Sequence, residues 1–370
     1  MAETILITGG AGFVGRHVAK ALLQDGHRVR AFDSLIEQVH PARVRPAELD
    51  PEVELVVGDI RDGDALGRTL AGVDAVIHLA AEVGVGQSMY AVDRYTSVND
   101  LGTAVLFQKL IDRPVRRVVV ASSMSVYGEG LYRTADGVLM EDVVRGPRNP
   151  DGSWDPLDGE GRPMTPVPTP ETKRPALKSV YAINKFVQER LTLTLTAQYG
   201  MEGAALRLWN IYGPGQALSN PYTGVLAIFA SRIMHGEAPM VFEDGRQRRD
   251  FVHVSDVVGA FRLALERPEA VGETFNIGSG EDRAVEDVAR LQAASMGRAE
   301  IEPNITQQAR AGDIRHNIPD LAKARTLLGY APKQDFARGL EELAAWVARQ
   351  ESKDRVAEAR RELELRGLVA

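Results

Sequence analysis

The sequence predicts an α/β fold: a doubly wound parallel sheet, followed by a smaller C-terminal α/β region. Three observations predict it. Short apolar runs alternate with stretches of helical period, the pattern of strand–helix–strand units in a parallel sheet. A glycine-rich turn stands directly between the first apolar run and the first helical one. The apolar runs end in small or acidic residues, at the position where ligands bind in such sheets.

The first run, Thr4 to Thr8, reads as a buried strand and leads at once into Gly9-Gly10-Ala11-Gly12-Phe13-Val14-Gly15. A helix follows over 16–24. The spacing Gly9, Gly12, Gly15 is G-x-x-G-x-x-G. Glycine is required there because backbone must turn tightly and approach a pyrophosphate, whose charge rests on the helix N-terminus. Strand, turn and helix in that order give the motif its confirming context and predict a Rossmann-type dinucleotide fold. A second strand over 28–32 ends in Asp33, an acid about 20 residues after the glycines that can accept from both ribose hydroxyls. It would repel a 2′-phosphate, so NAD is expected rather than NADP; the plain alternative is a turn aspartate.

Strands over 53–57, 75–79 and 118–121 continue the alternation, with helices over about 62–71 and 97–112. They end in Gly58-Asp59-Ile60, in Leu79-Ala80-Ala81 and in Ser122-Ser123. Asp59 is placed to hold the adenine amino group, with a solvated turn residue as the alternative. The small residues after Leu79 let backbone pass close to a cofactor.

A helix is expected over 179–198. Tyr181 and Lys185 lie four apart on it and share a face. Ile183, Val187, Leu191 and Leu195 also step by four, offset by about 200°. That apolar line is expected to enter a core while the phenol and ammonium meet a ligand. A cation beside a phenol favours the phenolate, the tuning a general base needs.

Taken together, Thr8-Gly9-Gly10-Ala11-Gly12-Phe13-Val14-Gly15, the acid after strand two, Gly58-Asp59-Ile60, His78-Leu79-Ala80-Ala81, Ser122-Ser123-Met124-Ser125-Val126-Tyr127-Gly128 and Tyr181-x-x-x-Lys185 resemble the extended short-chain dehydrogenase/reductase family. Within it the chain is similar to the nucleotide-diphosphate-sugar epimerases and dehydratases, in order from Thr4 to about Trp346. The resemblance implies a catalytic set of Ser123, Tyr181 and Lys185. It implies NAD held by Gly9, Gly12, Phe13, Val14, Gly15, Asp33, Asp59, Ile60, Leu79, Ala80, Ala81, Asn99, Ser122, Tyr181 and Lys185. Asn99 matches an asparagine that supports the active-site helix in relatives. One departure is informative: the family's 4,6-dehydratases carry Thr-Asp-Glu where this chain has Ser123-Met124-Ser125. Methionine moves no proton, which disfavours dehydration. Glu82 is a possible further acid, or a partnered turn residue.

The insert at 129–178 is longer than in short relatives and rich in turn and polyproline chemistry around Asn149-Pro150-Asp151-Gly152 and Pro166-Val167-Pro168-Thr169-Pro170. It is expected to be a lid, a dimer arm or a mobile loop. Residues 1–200 are expected to form the cofactor domain, and 201–350 a substrate region interleaved with it. There the resemblance assigns substrate to Asn210, Arg249, Arg310 and Asp313, and Asn220 and Thr223, at the start of a helix expected over 225–235, offer a second phosphate-ready site for substrate. Arginine's fork of donors suits phosphate oxygens. His253, between two valines, reads as structural. Residues 351–370 read as a charged helix, solvated or touching a partner.

Composition bounds the rest. An apolar content of 44% and a charged content of 26% belong to an ordinary globular chain. A net charge of −7 without a basic block argues against nucleic acid. With no cysteine there is no disulfide, zinc–thiolate site or cysteine nucleophile, and no metal site is expected. No apolar run approaches the roughly 18 residues of a membrane span, and the start shows no targeting pattern. The expectation is a cytoplasmic homodimer acting on a nucleotide-diphosphate sugar by 4-epimerisation. The run 219–224 with the long insert most resembles the dTDP-L-rhamnose 4-epimerase group. A C4 oxidoreductase, a uronate decarboxylase or dehydratase, and a non-catalytic NAD-binding regulator remain alternatives.

Overall fold

The computed structural model describes residues 2–310, 312–351 and 353–369. Seven parallel strands form the central sheet: β1 (Thr4–Thr8), β2 (Arg28–Asp33), β3 (Glu54–Val57), β4 (Ala75–His78), β5 (Arg117–Ser123), β6 (Glu202–Leu208) and β7 (Glu273–Ile277). Their order is β7-β6-β5-β4-β1-β2-β3, all neighbours parallel. The chain runs outward from β1 to β3, then returns to β4 on the other side. That reversal opens a crevice between the C-terminal ends of β1 and β4, where ligands bind in doubly wound sheets.

Period-2 alternation divides the sheet residues between two cores. Ile5, Ile7, Ala75, Ile77, Val119 and Leu206 face the helices Phe13–Gln24 and Val254–Glu266. Leu6, Phe32, Val76 and Val118 face the helices Gly63–Thr69 and Gly102–Asp112. Ile5, Leu6 and Ile7 are fully buried, each burial contributing roughly 1.5–3 kcal/mol. β7 was not legible as a strand in the sequence. It comes from the second half of the chain and pairs with β6, so the two halves share one sheet.

The smaller region pairs Asn210–Tyr212 with Arg248–His253 in parallel, and the latter with Asp282–Ala284 and His316–Asn317. Helices Val225–Met234, Val285–Ser295 and Phe336–Val347 pack on it around Phe251, Leu340 and Leu343. His253 closes its strand, and its ring accepts from the Ser255 amide (3.3 Å), capping the next helix.

Three segments differ from expectation. The helix Val180–Gln198 buries its polar face, not the apolar line: Asn184, Lys185, Gln188, Glu189, Thr192 and Thr196 are inside. Ile183 is 43% exposed. The buried face is held by polar partners, above all Arg207 on β6, which pairs with Glu189 at 2.6 Å. The insert is not a free loop. It forms an antiparallel sheet of Leu131–Arg133, Leu139–Met140 and Thr165–Val167. Its Asp155 pairs with fully buried Arg315 (2.7 Å) and with His316 (3.0 Å). Its Glu129 accepts from the amides of Arg315 and His316. Finally, the charged tail is not simply solvated. Its helix Val356–Glu364 buries Ala359 and Leu363 against the body of the protein.

Candidate active site

The crevice at the sheet's C-terminal edge opens into one cavity of about 1330 Å³, larger than the 300–1,000 Å³ usual for a single small ligand. Every residue assigned above to chemistry, cofactor or substrate lines it except Asn99. Sheet and smaller region contribute to it from opposite sides.

The glycine turn forms the floor. Gly9 has φ +70°, and a Cβ there would stand 2.9 Å from the Ala80 nitrogen. A Cβ on Gly15 would meet the Gly9 carbonyl at 2.6 Å. The turn is therefore packed backbone on backbone against the end of β4, and only glycine fits. Asp33 at the end of β2 braces it: its Oδ2 accepts from the Ala11 amide (3.0 Å) and its Oδ1 from the Leu35 amide (2.9 Å). A carboxylate has about four acceptor positions, so ribose hydroxyls can still be met. Asp59 is held by Arg61 through both oxygens, and that hydrogen bonding lowers its pKa. The Ser122 hydroxyl points elsewhere, donating to Glu189 at 2.7 Å.

Asn99 acts at a distance. It sits in a π-helical turn, 97–101, that continues into the helix Gly102–Asp112. Its side chain accepts from the Glu82 amide (2.7 Å) and donates to the Glu82 carbonyl (3.1 Å). It thus fixes the backbone after β4 and touches no ligand space. Glu82 lines the cavity and is nearly buried, with Arg94 at 3.3 Å. Burial pushes its pKa up, against the pull of Arg94.

Ser123 ends β5, and Tyr181 and Lys185 project from the first turns of their helix, whose N-cap is Ser179. The Lys185 ammonium donates to the Ala121 carbonyl and to Gln188 Oε1, both at 2.9 Å. Burial pushes its pKa down to about 7. Burial pushes Tyr181 up to about 12, and a hydrogen bond with Ser123 opposes it. The expected depression by Lys185 is therefore not the ruling effect in the protein alone; desolvation of the phenolate outweighs it. His78, between Thr8 (2.7 Å) and Thr103 (2.8 Å), is held neutral by burial and next by Lys185, at about 3.

Two contributors were missed in the sequence. Gln188 joins Lys185 to Thr103 (2.9 Å) and to the Ala80 carbonyl (3.3 Å); its place three residues after Lys185 was a usable signal. Ser125 donates to Ser123 through its hydroxyl at 3.0 Å and its amide at 3.2 Å.

On the opposite side, Asn210 Nδ2 donates to the Asp250 carbonyl (2.8 Å), and Asn220 accepts from Gln38 and from the Tyr222 amide. Thr223 is half-buried just before the helix Val225–Met234. Arg249 is buried and donates to the carbonyls of Arg248, Ile314 and Arg315. Much of its donor fork is thus already engaged. Arg310 lies over the Phe242 ring (4.4 Å) and pairs with Asp313 (3.0 Å). No cluster of acids and histidines suited to a metal occurs among the described residues, and no helix there is long and apolar enough to cross a membrane.

Residues 5–153 and 156–278 match the model of the NAD dependent epimerase/dehydratase family. The chain belongs to that family. It is 37% identical over 354 residues to a dTDP-L-rhamnose 4-epimerase of Burkholderia thailandensis, covering 94% of this chain and 96% of that one. Its structure superposes with a TM-score of 0.76 on a UDP-glucose 4-epimerase of Thermotoga maritima solved with UDP-glucose, at 30% identity over 93% of this chain and 98% of that one. A UDP-glucose 4-epimerase of Thermus thermophilus in complex with NAD gives 0.75, at 27% identity over 94% and 100%. Membership in the NAD dependent epimerase/dehydratase family agrees with the site's geometry. Gly9, Gly12 and Gly15 line the cavity, and at Gly9 and Gly15 a Cβ would strike neighbouring backbone; the Asp33 carboxylate lines the cavity at the end of β2. These residues fit NAD.

Proposed function

We propose that this chain inverts C4 of a nucleotide-diphosphate sugar, with Ser123, Tyr181 and Lys185 as its catalytic residues. The observation that carries the reading is that those three side chains and the substrate-side residues line a single cavity with the NAD turn. When bound, NAD would supply a two-electron acceptor and donor for the C4 hydride. The protein does the rest. Tyr181 takes the O4 proton as the sugar is oxidised and returns it afterwards. Ser123 hydrogen-bonds O4 and eases ionisation of Tyr181. Lys185 is fixed by Ala121 and Gln188, which leaves one ammonium hydrogen for the nicotinamide ribose. The 4-keto sugar turns about its diphosphate, so the returning hydride meets its other face. Arg310, Asn210 and Arg249 hold that diphosphate. Asn220 and Thr223 contact the sugar, and Asp313 the nucleotide ribose. Asp59 meets the adenine amino group.

Met124 and Ser125, where dehydration would need an acid pair, favour epimerisation over loss of water. The likeness to a dTDP-L-rhamnose 4-epimerase supports a 6-deoxyhexose on a thymidine or uridine diphosphate as substrate. The test is incubation of purified protein with dTDP-L-rhamnose, UDP-glucose and UDP-glucuronate separately, with products resolved by NMR. C4 inversion of one of them supports the reading; no turnover of any, with NAD bound, favours a binding protein instead.

We also propose a homodimer through the outer face of the Tyr181 helix. Ile183 (43%) and Leu101 (53%) are exposed there, on neighbouring helices joined by Asn184 and Asp100 (2.8 Å). Light scattering should give twice the chain mass, and Ile183→Arg should reduce it to one. A monomeric wild type refutes the dimer.

A further inference from the structure

The C-terminal segment has no role in the chemistry above, yet it walls the far end of the cavity. Arg360, Leu363 and Leu368 line it together with Phe242 and Arg310. The segment is fastened at both ends. Before the helix, the Lys353 amide donates to Ser219 Oγ (3.0 Å) and Asp354 pairs with Arg232 (3.0 Å). After it, Val369 pairs antiparallel with Arg310. Between these points Leu363 packs on Gly86, where a Cβ would lie 3.4 Å from it. Arg366 stacks over Tyr90 at 4.4 Å. A helix of nine residues is too short to hold in water by itself, so it exists because it is docked.

The chemistry of Arg360 sets it apart from the other charges of that helix. It is half-buried. Its Nε pairs with Glu364 (2.6 Å) and its Nη2 donates to Gln308 Oε1 (2.9 Å). Its Nη1 meets the Met240 thioether at 4.0 Å, a weak acceptor. Arg360 lines the cavity with Phe242 and Arg310, and its Nη1 has no strong partner among the described residues. The aromatic ring gives an apolar face and the guanidinium gives donors directed at carbonyl oxygens. A pyrimidine base has both features.

We propose that residues 353–369 form the wall of the nucleotide end of the substrate site, and that Arg360 donates a hydrogen bond from Nη1 to a carbonyl oxygen of the pyrimidine base. This rests on the reading of the substrate as a nucleotide-diphosphate sugar. Because the helix owes its structure to docking, a ligand that bridges it to Phe242 and Arg310 also tightens it.

The test uses the full chain and two probes, dTDP and UDP, titrated by calorimetry, with NAD binding measured in parallel. Arg360→Ala should weaken binding of the nucleoside diphosphate about tenfold. It should leave NAD affinity unchanged and raise KM for the sugar nucleotide more than it lowers kcat. Amide exchange over 353–369 should slow when dTDP is added to wild type, a response that a merely structural wall would not give. Nucleoside-diphosphate affinity within twofold of wild type in both Arg360→Ala and a chain ended after Gln350, with no change in exchange, overturns the proposal. Failure of wild type itself to bind either probe sinks the parent reading of the substrate, and this inference with it.

Discussion

Tyr181 carries the chemistry in this account, so substitutions around it are the sharpest tests at the residue scale. Tyr181→Phe should cut turnover roughly 10²–10⁴-fold, the usual worth of a general base. Fold and NAD affinity should survive, since the phenol packs no core. Full activity in that variant ends the account. Ser123 opposes the upward push of burial on the Tyr181 pKa. In the proposed mechanism the phenolate is the working form, so the rate should rise with pH on its acid limb. Ser123→Ala should therefore move that limb of kcat/KM to higher pH as well as lower the rate; an unmoved limb would show the two hydroxyls are uncoupled. Lys185→Ala is less clean. It leaves Gln188 Oε1 and the Ala121 carbonyl without their donor, so about 1–3 kcal/mol of stability should go with the activity. Asp33 separates two functions: Asp33→Asn keeps an oxygen for the Ala11 amide but removes the charge, and should narrow the preference for NAD over NADP. These positions were legible because glycine turns and i, i+4 pairs are local geometry. What was not legible was the outcome of competing terms. Lys185 four residues from Tyr181 suggested a lowered phenol pKa, but burial is the larger effect and pushes it up.

At the scale of elements, the strands and their terminal residues were readable because sheet burial writes itself as short apolar runs. β7 was missed because Glu273-Thr274-Phe275-Asn276-Ile277 has only two apolar residues, split by Asn276, and so lacks the unbroken apolar run of its neighbours. The Tyr181 helix was oriented wrongly for a related reason. Period reports which residues share a face, and the hydrophobic face was assumed to be the inner one. Here the inner face meets Arg207, Ser122 and Thr103 through polar partners, while Ile183 is exposed and Val187, Leu191 and Leu195 are only half-buried. The insert was unreadable because its anchor is long-range: Asp155 finds Arg315, 160 residues away. Asp155 has its pKa lowered, chiefly by the His316 hydrogen bond. A depressed carboxylate contributes stability above its unfolded pKa of about 3.9 and loses it as pH falls toward the folded value. The side chain is about one-third exposed, and Arg315 keeps Glu243 and Asp244. Asp155→Asn should thus cost only about 1 kcal/mol at pH 7. The difference from wild type in denaturant midpoint should shrink below about pH 4. A difference constant down to pH 3 would mean the Asp155 charge anchors nothing.

For the whole molecule, the decisive feature is that two halves of the chain share one sheet and one cavity. β7, from the second half, completes the sheet that carries the NAD turn, while the smaller region and the tail close the substrate side. In the proposed mechanism, that arrangement would hold a sugar nucleotide by its diphosphate with the C4 region at Tyr181, and would let the oxidised sugar turn without leaving. The central claim is that hydride leaves C4 and the same hydride returns to its other face, with Tyr181 moving only the O4 proton. Solvent hydrogen then never reaches a ring carbon. The direct measurement is the reaction run in heavy water on the preferred sugar nucleotide, followed by NMR of the product. The expected product shows C4 inversion with no deuterium on any ring carbon, and no net NADH forms. Deuterium at C5, loss of carbon dioxide from a uronate, or NADH formed in proportion to product would contradict it.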